Sequence, residues 1–380
     1  MKVLHICNGA QGNSPFFKHL FMALKMKHVE QSVLIPVWKT PSIDFEDIHC
    51  EYFYRKSGIL ARLMFRKKIR QLTQFALEKF EVETYNMIHA HTWFSDGAVA
   101  YKLYKKYGIP YIVAIRNTDL NIFYKYFIHL RKLGNRILEN ASQIIFISPA
   151  YKDYFENQIV SKKIKNKISK KICIIPNGIS PFWVQHKHQK TAISSPVKLL
   201  SIGAITPNKN FPAICNAVEL LRAKGIDLEL TIVGKGYRDV PSCLKILENH
   251  INEKPYFKIL KKQSEEELLH TYRSHDIFVL PSHTETFGLV YIEALTQGLP
   301  VIYTKGQGID GYFESGKIGY AVHSKNIEEL AEAIHNTICN ISDITANINQ
   351  LDFSVFSWES IAERYGEIYL QIFNKYLTDR

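Results

Sequence analysis

The sequence predicts an α/β fold of two doubly wound, parallel-sheet domains, and three observations predict it. The chain has 380 residues, more than the roughly 250–300 that one hydrophobic core usually serves. Short β-branched runs alternate with helix-length stretches, the pattern of strands joined by crossover helices. The alternation comes in two series, separated by the turn signal Pro176-Asn177-Gly178 and by a polar stretch, His186 to Pro196, without periodicity.

The first series of candidate strands is Lys2–Cys7, Ser32–Val37, Met87–His91, Pro110–Ile115, Gln143–Ser148 and Ile172–Ile175. The second is Val197–Gly203, Leu228–Gly234, Tyr256–Leu260, Asp276–Leu280, Pro300–Tyr303 and Tyr320–Val322. Two series imply two Rossmann-like domains, expected over residues 1–185 and 196–355. The closing run from about Trp358 to Tyr376 reads as a long, aromatic-rich helix, and residues 356–380 are expected to return to the first domain.

Composition narrows the classes. Hydrophobic residues make up 46% of the chain, ample for globular folding, yet no apolar run reaches the ~20 residues that cross a bilayer. Met1 to Cys7 reads as a strand and lacks the longer apolar core and cleavage site of a signal peptide. The six cysteines are scattered, with no CxxC pair or Cys/His cluster, so neither a zinc site nor a disulfide framework is indicated. A reduced cytoplasm is the expected location.

The net charge of +12 is uneven: residues 1–195 carry 30 Lys/Arg against 13 Asp/Glu, and the remainder 18 against 23. A basic half suits an anionic partner; ordinary solubilising charge explains it equally well. Within that half Arg55, Lys56, Arg62, Arg66, Lys67, Lys68 and Arg70 interleave with Ile59, Leu60, Leu63, Met64, Phe65 and Ile69. The pattern is that of a basic amphipathic segment able to lie on an anionic membrane surface, or of a helix packed on the sheet by its apolar face. A second cluster, Lys162 to Lys171, is mostly charge. No nucleic-acid recognition motif accompanies these residues.

The most informative stretch is Pro281–Pro300, PSHTETFGLVYIEALTQGLP. Glu285 and Glu293 are spaced E-x7-E around a turn through Thr286, Phe287, Gly288 and Leu289, between a candidate strand and a helix-forming run. A chain that leaves a strand and turns into a helix points free amides, and the positive end of the helix dipole, at whatever lies above the turn. The segment offers a diphosphate seat flanked by two acceptor carboxylates, which suits a nucleotide-sugar.

Ligands of open α/β sheets bind outside the carboxyl ends of the strands, so the residues there matter. The first strand is followed by a glycine loop containing Gly9 and Gly12, where backbone can approach a ligand closely or simply turn. His89 and His91 share one side of their strand; His91, nearer the carboxyl end, is placed to reach a ligand. Arg116 ends a strand and can grip phosphate or carboxylate, or pair with Asp119. Lys209, near a helix start, would cooperate with the helix dipole on a bound phosphate. Gly234 with Gly236, and Gly306 with Gly308, add two more close-approach turns to the second sheet.

With these residues in hand, the chain resembles the retaining GT-B glycosyltransferases of family 4 over nearly its whole length. The resemblance rests on the first glycine loop, the IHAH segment, IIPNGI, GAITPNKNF, the E-x7-E block and Phe356-Ser357-Trp358-Glu359. It implies two Rossmann-like domains facing across a cleft, the second binding a nucleoside-diphosphate sugar, commonly a UDP-hexose. Lys209 matches the lysine on the diphosphate, Glu285 the carboxylate beside the sugar hydroxyls, and Glu293 the one on the ribose. His91 matches the histidine near the reacting sugar, and Gly12 a glycine close to phosphate and acceptor. Two departures stand out. Ala204 occupies a position where the family usually has arginine, and Arg116 one where it commonly has histidine. Arg116 is expected to replace part of the missing cation.

The implied reaction is retaining sugar transfer to a glycan or lipid-linked acceptor in cell-surface polysaccharide synthesis, with no cofactor. No DxD-type carboxylate pair stands out, so no metal is expected. The alternatives are a nucleotide-sugar-binding protein without transfer, which Ala204 makes plausible, and a GT-B phosphorylase or epimerase.

Overall fold

The computed structural model describes residues 1–11, 16–38, 45, 47–54, 64–236, 241–252 and 254–378. The described residues form two compact units. The first comprises Met1–Ile147, Lys152–Gly178 and Phe356–Arg380; the second comprises Ser148–Tyr151 and Ile179–Val355.

The first unit holds a seven-stranded sheet in the order β3-β2-β1-β4-β5-β6-β7. Its strands are β1 (Lys2–Ile6), β2 (Glu30–Val37), β3 (His49–Tyr54), β4 (Met87–Ala90), β5 (Tyr111–Ile115), β6 (Gln143–Phe146) and β7 (Ile172–Ile174). Neighbours pair in parallel, with His5 of β1 in register with His89 of β4. Strands β2, β4 and β5 are buried almost throughout, because helices cover both faces of a parallel sheet and the apolar runs need not alternate. The edge strand β3 was not among the expected strands. Its sequence, HCEYFY, is only partly buried, so neither a continuous apolar run nor a clean alternation announces it.

The core of this unit joins the two ends of the chain. The helix Phe16–Met26 buries Leu20, Phe21 and Leu24, and the last helix, Trp358–Thr378, buries Trp358, Ile361, Ala362, Tyr365 and Tyr369 in the same apolar cluster. Trp358 fits against Gly178, where a Cβ would stand 2.4 Å from the indole. That contact fixes why the IIPNGI turn carries glycine.

The second unit holds a six-stranded parallel sheet in the order β10-β9-β8-β11-β12-β13. The strands are β8 (Val197–Ile202), β9 (Leu228–Val233), β10 (Phe257–Leu260), β11 (Ile277–Val279), β12 (Val301–Thr304) and β13 (Gly319–Val322). The order reverses between β8 and β11, as it does between β1 and β4 in the first unit. Such a reversal spreads the connecting loops apart at the carboxyl edge and leaves a crevice there. In the second unit the loops on either side of it are the lysine loop and the E-x7-E loop.

Among the described residues no helix is long and apolar enough to cross a membrane. The basic amphipathic pattern is seen only over its second half: residues 55–63 lie outside the described residues, and the helix Phe65–Lys79 buries Phe65, Ile69, Leu72 and Ala76. For those apolar residues the structure matches the second of the two readings, a helix packed by its apolar face. Arg66, Lys67 and Arg70 stay exposed. In the second basic cluster, the helix Lys162–Ile168 likewise buries Ile164 and Ile168.

Candidate functional site

The site in the second unit starts where two strand ends cross. After β8, Gly203 donates its amide to the Val233 carbonyl at 3.0 Å. A Cβ on Gly234 would stand 2.0 Å from the Gly203 carbonyl oxygen, so this crossing requires glycine. The chain then passes Ala204, makes a 3-10 turn over Pro207–Lys209 and enters the helix Phe211–Ala223. Asn210 makes that entry in the left-handed region, at φ 56°, which asparagine tolerates better than most residues. Its side-chain amide donates to the carbonyls of Pro281, at 3.2 Å, and Ser324, at 2.5 Å.

Asn208 stitches the lysine loop to the E-x7-E loop. Its Nδ2 donates to the Thr284 carbonyl at 2.8 Å, and its Oδ1 accepts from the Thr284 amide at 3.0 Å and hydroxyl at 2.7 Å. His283 donates its amide to the Asn208 carbonyl at 2.8 Å. These bonds bring Lys209 to Glu285: Nζ and Oε2 lie 2.5 Å apart, with the side chains 20% and 12% exposed. The pair is partly buried, so its field is screened less than that of a fully exposed pair.

The turn beyond Glu285 is held from several sides. Thr286 donates its amide to Glu285 Oε1 at 3.1 Å, and Glu285 donates its own amide to Gln307 Oε1 at 3.2 Å. Gly308 donates its amide to the Glu285 carbonyl at 3.0 Å. Gly308 sits at φ 56°, with a would-be Cβ 3.0 Å from the Phe287 carbonyl oxygen and 3.1 Å from Glu285 Cγ. Gly288, at φ 78°, then caps the helix Leu289–Thr296. The first amides of this helix lack acceptors within it and lie at the positive end of its dipole. An anion is favoured there.

Glu293 lies about one turn into that helix. The Tyr272 hydroxyl donates to its Oε2 at 3.1 Å. Burial pushes the Glu293 carboxyl up to about 7, and the Tyr272 hydrogen bond opposes the rise. The second unit therefore brings together Gly234, Lys209, Glu285, Thr286, Phe287, Gly288, Leu289 and Glu293: one cation, two carboxylates and a helix start on adjacent loops. Asn208, Asn210 and Gln307, which orient these residues, were not predicted as site residues. Ala204 brings no charge to the loop.

In the first unit the predicted residues have different surroundings. Gly12 lies outside the described residues. His91 does not reach the surface: it is 1% exposed, with Phe17 and Phe21 edge-on to its ring. The strand pairing that sets His5 beside His89 builds a buried cluster of three imidazoles. His5 Nδ1 and His91 Nε2 share a hydrogen bond at 3.0 Å, and His89 Nδ1 meets the Tyr369 hydroxyl at 2.7 Å. Burial holds all three neutral, with His5 pushed down to about 3 and His89 and His91 well below the usual histidine range. One nitrogen of each ring lacks a partner. This trio is the single group among the described residues with the spacing to hold a metal ion. The two strands that form it are over 80 residues apart in sequence, so spacing along the chain gave no sign of it.

Arg116 does not pair its guanidinium with Asp119. It donates from Nη1 to Asn177 Oδ1 at 3.0 Å and from Nε to the His91 carbonyl at 3.3 Å. The Asp119 carboxylate instead accepts the amides of Trp93, Phe94 and Arg116 at 3.0, 3.0 and 2.9 Å, anchoring the loop after β4.

The chain matches two family models in succession. Residues 18–181 match Glycosyltransferase Family 4, and residues 184–341 match Glycosyl transferases group 1. Among curated proteins it is 27% identical over 296 residues to a glycosyltransferase of Methanocaldococcus jannaschii, covering 77% of each chain. It is 25% identical over 337 residues to alpha-monoglucosyldiacylglycerol synthase of Acholeplasma laidlawii, covering 82% of this chain and 76% of that one. Among solved structures it is similar to sucrose-phosphate synthase from Thermosynechococcus elongatus, with a TM-score of 0.74 at 18% identity over 99% of this chain and 100% of that one. It is also similar to Anabaena HepE in complex with UDP, with a TM-score of 0.67 at 18% identity over 97% and 99%.

Proposed function

The chain is a GT-B glycosyltransferase with a family 4 half and a group 1 half, and on that premise we propose that it moves a hexose, with retention, from a nucleoside-diphosphate sugar to a glycan or lipid-linked acceptor. The donor is taken to be UDP-linked. The observation that carries this reading is the Lys209–Glu285 pair, 2.5 Å apart beside the helix start at Gly288. Lys209 and the helix amides are suited to the charge that develops on a departing diphosphate. Glu285 is suited to accept from sugar hydroxyls, and Glu293 from the ribose.

In a retaining transfer the acceptor oxygen bonds to the anomeric carbon on the face that the diphosphate leaves. The departing phosphate oxygen takes the acceptor's proton, so no side chain need serve as nucleophile. Lys209, Glu285 and Glu293 then work by holding the donor in geometry. Metal is absent from this scheme because the lysine and the helix start supply the positive charge. A UDP donor is in keeping with the UDP and UDP-glucose complexes of HepE. A lipid-linked acceptor is in keeping with the relative named alpha-monoglucosyldiacylglycerol synthase. Cell-surface polysaccharide synthesis on the cytoplasmic face of a membrane is the corresponding setting.

A screen of nucleotide-sugars by thermal shift identifies the donor, since a ligand that binds only the folded chain raises its stability. With that donor, Lys209→Ala and Glu285→Ala should each lower turnover by on the order of 10²-fold or more; near-normal rates in either variant refute the assignment. Ala204 supports a second reading, a nucleotide-sugar binder without transfer, because the loop carries one cation where two would be stronger. Slow donor hydrolysis by the wild-type chain, absent from Lys209→Ala, decides for the transferase. A requirement for inorganic phosphate decides for a phosphorylase.

A further inference from the structure

The first unit carries a second concave feature, remote from its carboxyl edge. A cavity of about 960 Å³ opens at the opposite, amino edge of the sheet. There Pro110 leads into β5, Ser142 into β6 and Lys171 into β7, whereas His91 and Arg116 follow the far ends of β4 and β5. Four lysines line it: Lys105, Lys170, Lys171 and Lys375. Among the described residues lining it, none is Asp or Glu.

Lysines in such a place have an ordinary explanation. The helices Ser95–Tyr107, Arg131–Asn140 and Trp358–Thr378 end near this edge, and cations complement helix C-termini. Lys171 does this directly, donating from Nζ to the Glu139 carbonyl at 2.7 Å. The magnitudes show that the explanation falls short. Each helix end carries roughly half a negative charge, so three ends offset about one and a half of the four lysine charges. The Glu139 carboxylate pairs with Lys167 at 2.7 Å and also acts on Lys171, so it offsets the cavity lysines only in part. Four charges less one and a half leave about two and a half, and with the part that Glu139 offsets a surplus of about two remains around this concavity, on side chains of which Lys105, Lys170 and Lys375 are exposed. Lys171 registers part of it: burial first and then the charge of Lys375 hold its ammonium below the usual lysine range, against the opposing effect of Glu139.

The rest of the lining indicates what kind of anion fits. Tyr101, Tyr104 and Tyr376 present rings beside the lysines, and aromatic faces pack on the apolar faces of sugar rings. Gln371 adds an amide that both donates and accepts, as hydroxyl-rich ligands require. Asn140 Nδ2 donates to the Arg136 carbonyl at 2.8 Å and leaves its Oδ1 to accept, and Gln143 bonds Cys173. A bilayer is too flat to enter a concavity of this kind, while a saccharide can.

We propose that this cavity is a second ligand site, for an acidic saccharide, a sugar chain bearing carboxylate groups. Occupancy is a binding property and does not depend on which donor the second unit uses. On a chain that elongates an acidic glycan, such a site would hold product already made.

Isothermal titration of the full chain at low salt tests this, with hexagalacturonate as the probe. Maltohexaose, inorganic pyrophosphate and phosphatidylglycerol vesicles serve as the other arms. Hexagalacturonate should bind the wild-type chain, and maltohexaose at least tenfold more weakly. Lys170→Gln/Lys375→Gln changes two exposed side chains and should weaken hexagalacturonate by about tenfold or more, as loss of two charge contacts implies, with an unchanged Tm. Tyr104→Ala should weaken hexagalacturonate but not pyrophosphate. Should the double variant melt early, Lys105→Gln replaces it. Absence of hexagalacturonate binding overturns the proposal, as does equal binding by the lysine variants. Pyrophosphate binding as tight as hexagalacturonate reduces the cavity to an anion trap. Vesicle binding that the lysine variants abolish, without saccharide binding, assigns the surface to lipid.

Discussion

Lys209 and Glu285 form an ion pair at 2.5 Å, each from a different loop at the point where the second sheet reverses its strand order. The pair stands on a bridge of backbone and side-chain bonds from Asn208 to Thr284 and His283. Each residue therefore positions the other, and the two loops act as one piece.

The first prediction concerns coupling. If Lys209 and Glu285 act as one piece, losses from Lys209→Ala and Glu285→Ala will not multiply. Each alone should cost on the order of 10²-fold in turnover, and the double variant little more than the worse single one. A loss near the product of the two, measured by initial rates with the same donor, would show that they act separately.

A second prediction separates two glycines. Gly225 lies at φ 86° with open space around it, while Gly234 has the Gly203 carbonyl where a side chain would go. Gly225→Ala should cost only the strain of the left-handed backbone, about 1–2 kcal/mol. Gly234→Ala must push the two strand ends apart, and should cost about 2 kcal/mol or more. Gly234→Ala should also weaken donor binding, because its Cβ would displace the Gly203 carbonyl, and Gly203 packs beside the Lys209 side chain. Urea unfolding and donor titration measure both; equal stability losses would contradict the difference.

Much of this geometry was legible before the structure and some was not. The strand–turn–helix around E-x7-E is a local signal, and Gly288 and Glu293 stand where that signal puts them. Strands β5 and β11 announce themselves because burial on both faces makes them apolar throughout, and β4 and β6 are interrupted only by His89 and by Gln143 at its edge, respectively. β3 is partly exposed and mixed, and gave no such sign. Asn208 and Asn210 were visible only as polar loop residues; their partners, Thr284, Pro281 and Ser324, are over 70 positions away. The position of His91 after a strand suggested a residue at the sheet edge. Its burial follows from Phe17 and Phe21 on a helix whose packing no spacing reveals.

Glu293 supplies a pH prediction. Its carboxyl titrates at about 7, raised by burial and lowered by the Tyr272 hydrogen bond. Tyr272→Phe removes the lowering contribution, so the carboxyl should rise further. If the ionised form grips the donor, the acid limb of donor affinity moves to higher pH in Tyr272→Phe. Dissociation constants across roughly pH 6 to 9 show whether it does; an unmoved limb removes ionised Glu293 from donor binding.

The histidine cluster supplies another, in stability. His5 falls from 6.5 to about 3 on folding through burial. Between those values the unfolded chain binds a proton that the folded chain refuses. Stability from this residue is complete above pH 6.5 and is lost as pH falls toward 3. Asp96, Asp119 and Glu293 are raised on folding, to about 7, 6 and 7, and slope the opposite way over much of the same range. The comparison of wild type with His5→Gln reads this histidine together with its lowering effect on His89 and His91, which acts in the same direction. Below about pH 6 the wild-type unfolding free energy should fall more steeply than that of the variant, by up to about 1.4 kcal/mol per pH unit. Parallel curves from urea titrations at several pH values would exclude it.

The first unit is assembled from segments far apart in the chain, with Trp358, Tyr365 and Tyr369 closing over residues laid down some 340 positions earlier. During synthesis the second unit, nearly continuous in sequence, is available to fold as it emerges, and the first must wait for the helix Trp358–Thr378. Its half-built core stays open for most of translation, a window in which chaperones have their best access. A nonsense mutation just ahead of Trp358 would therefore injure the first unit more than the second, although every residue it removes lies beyond both sheets.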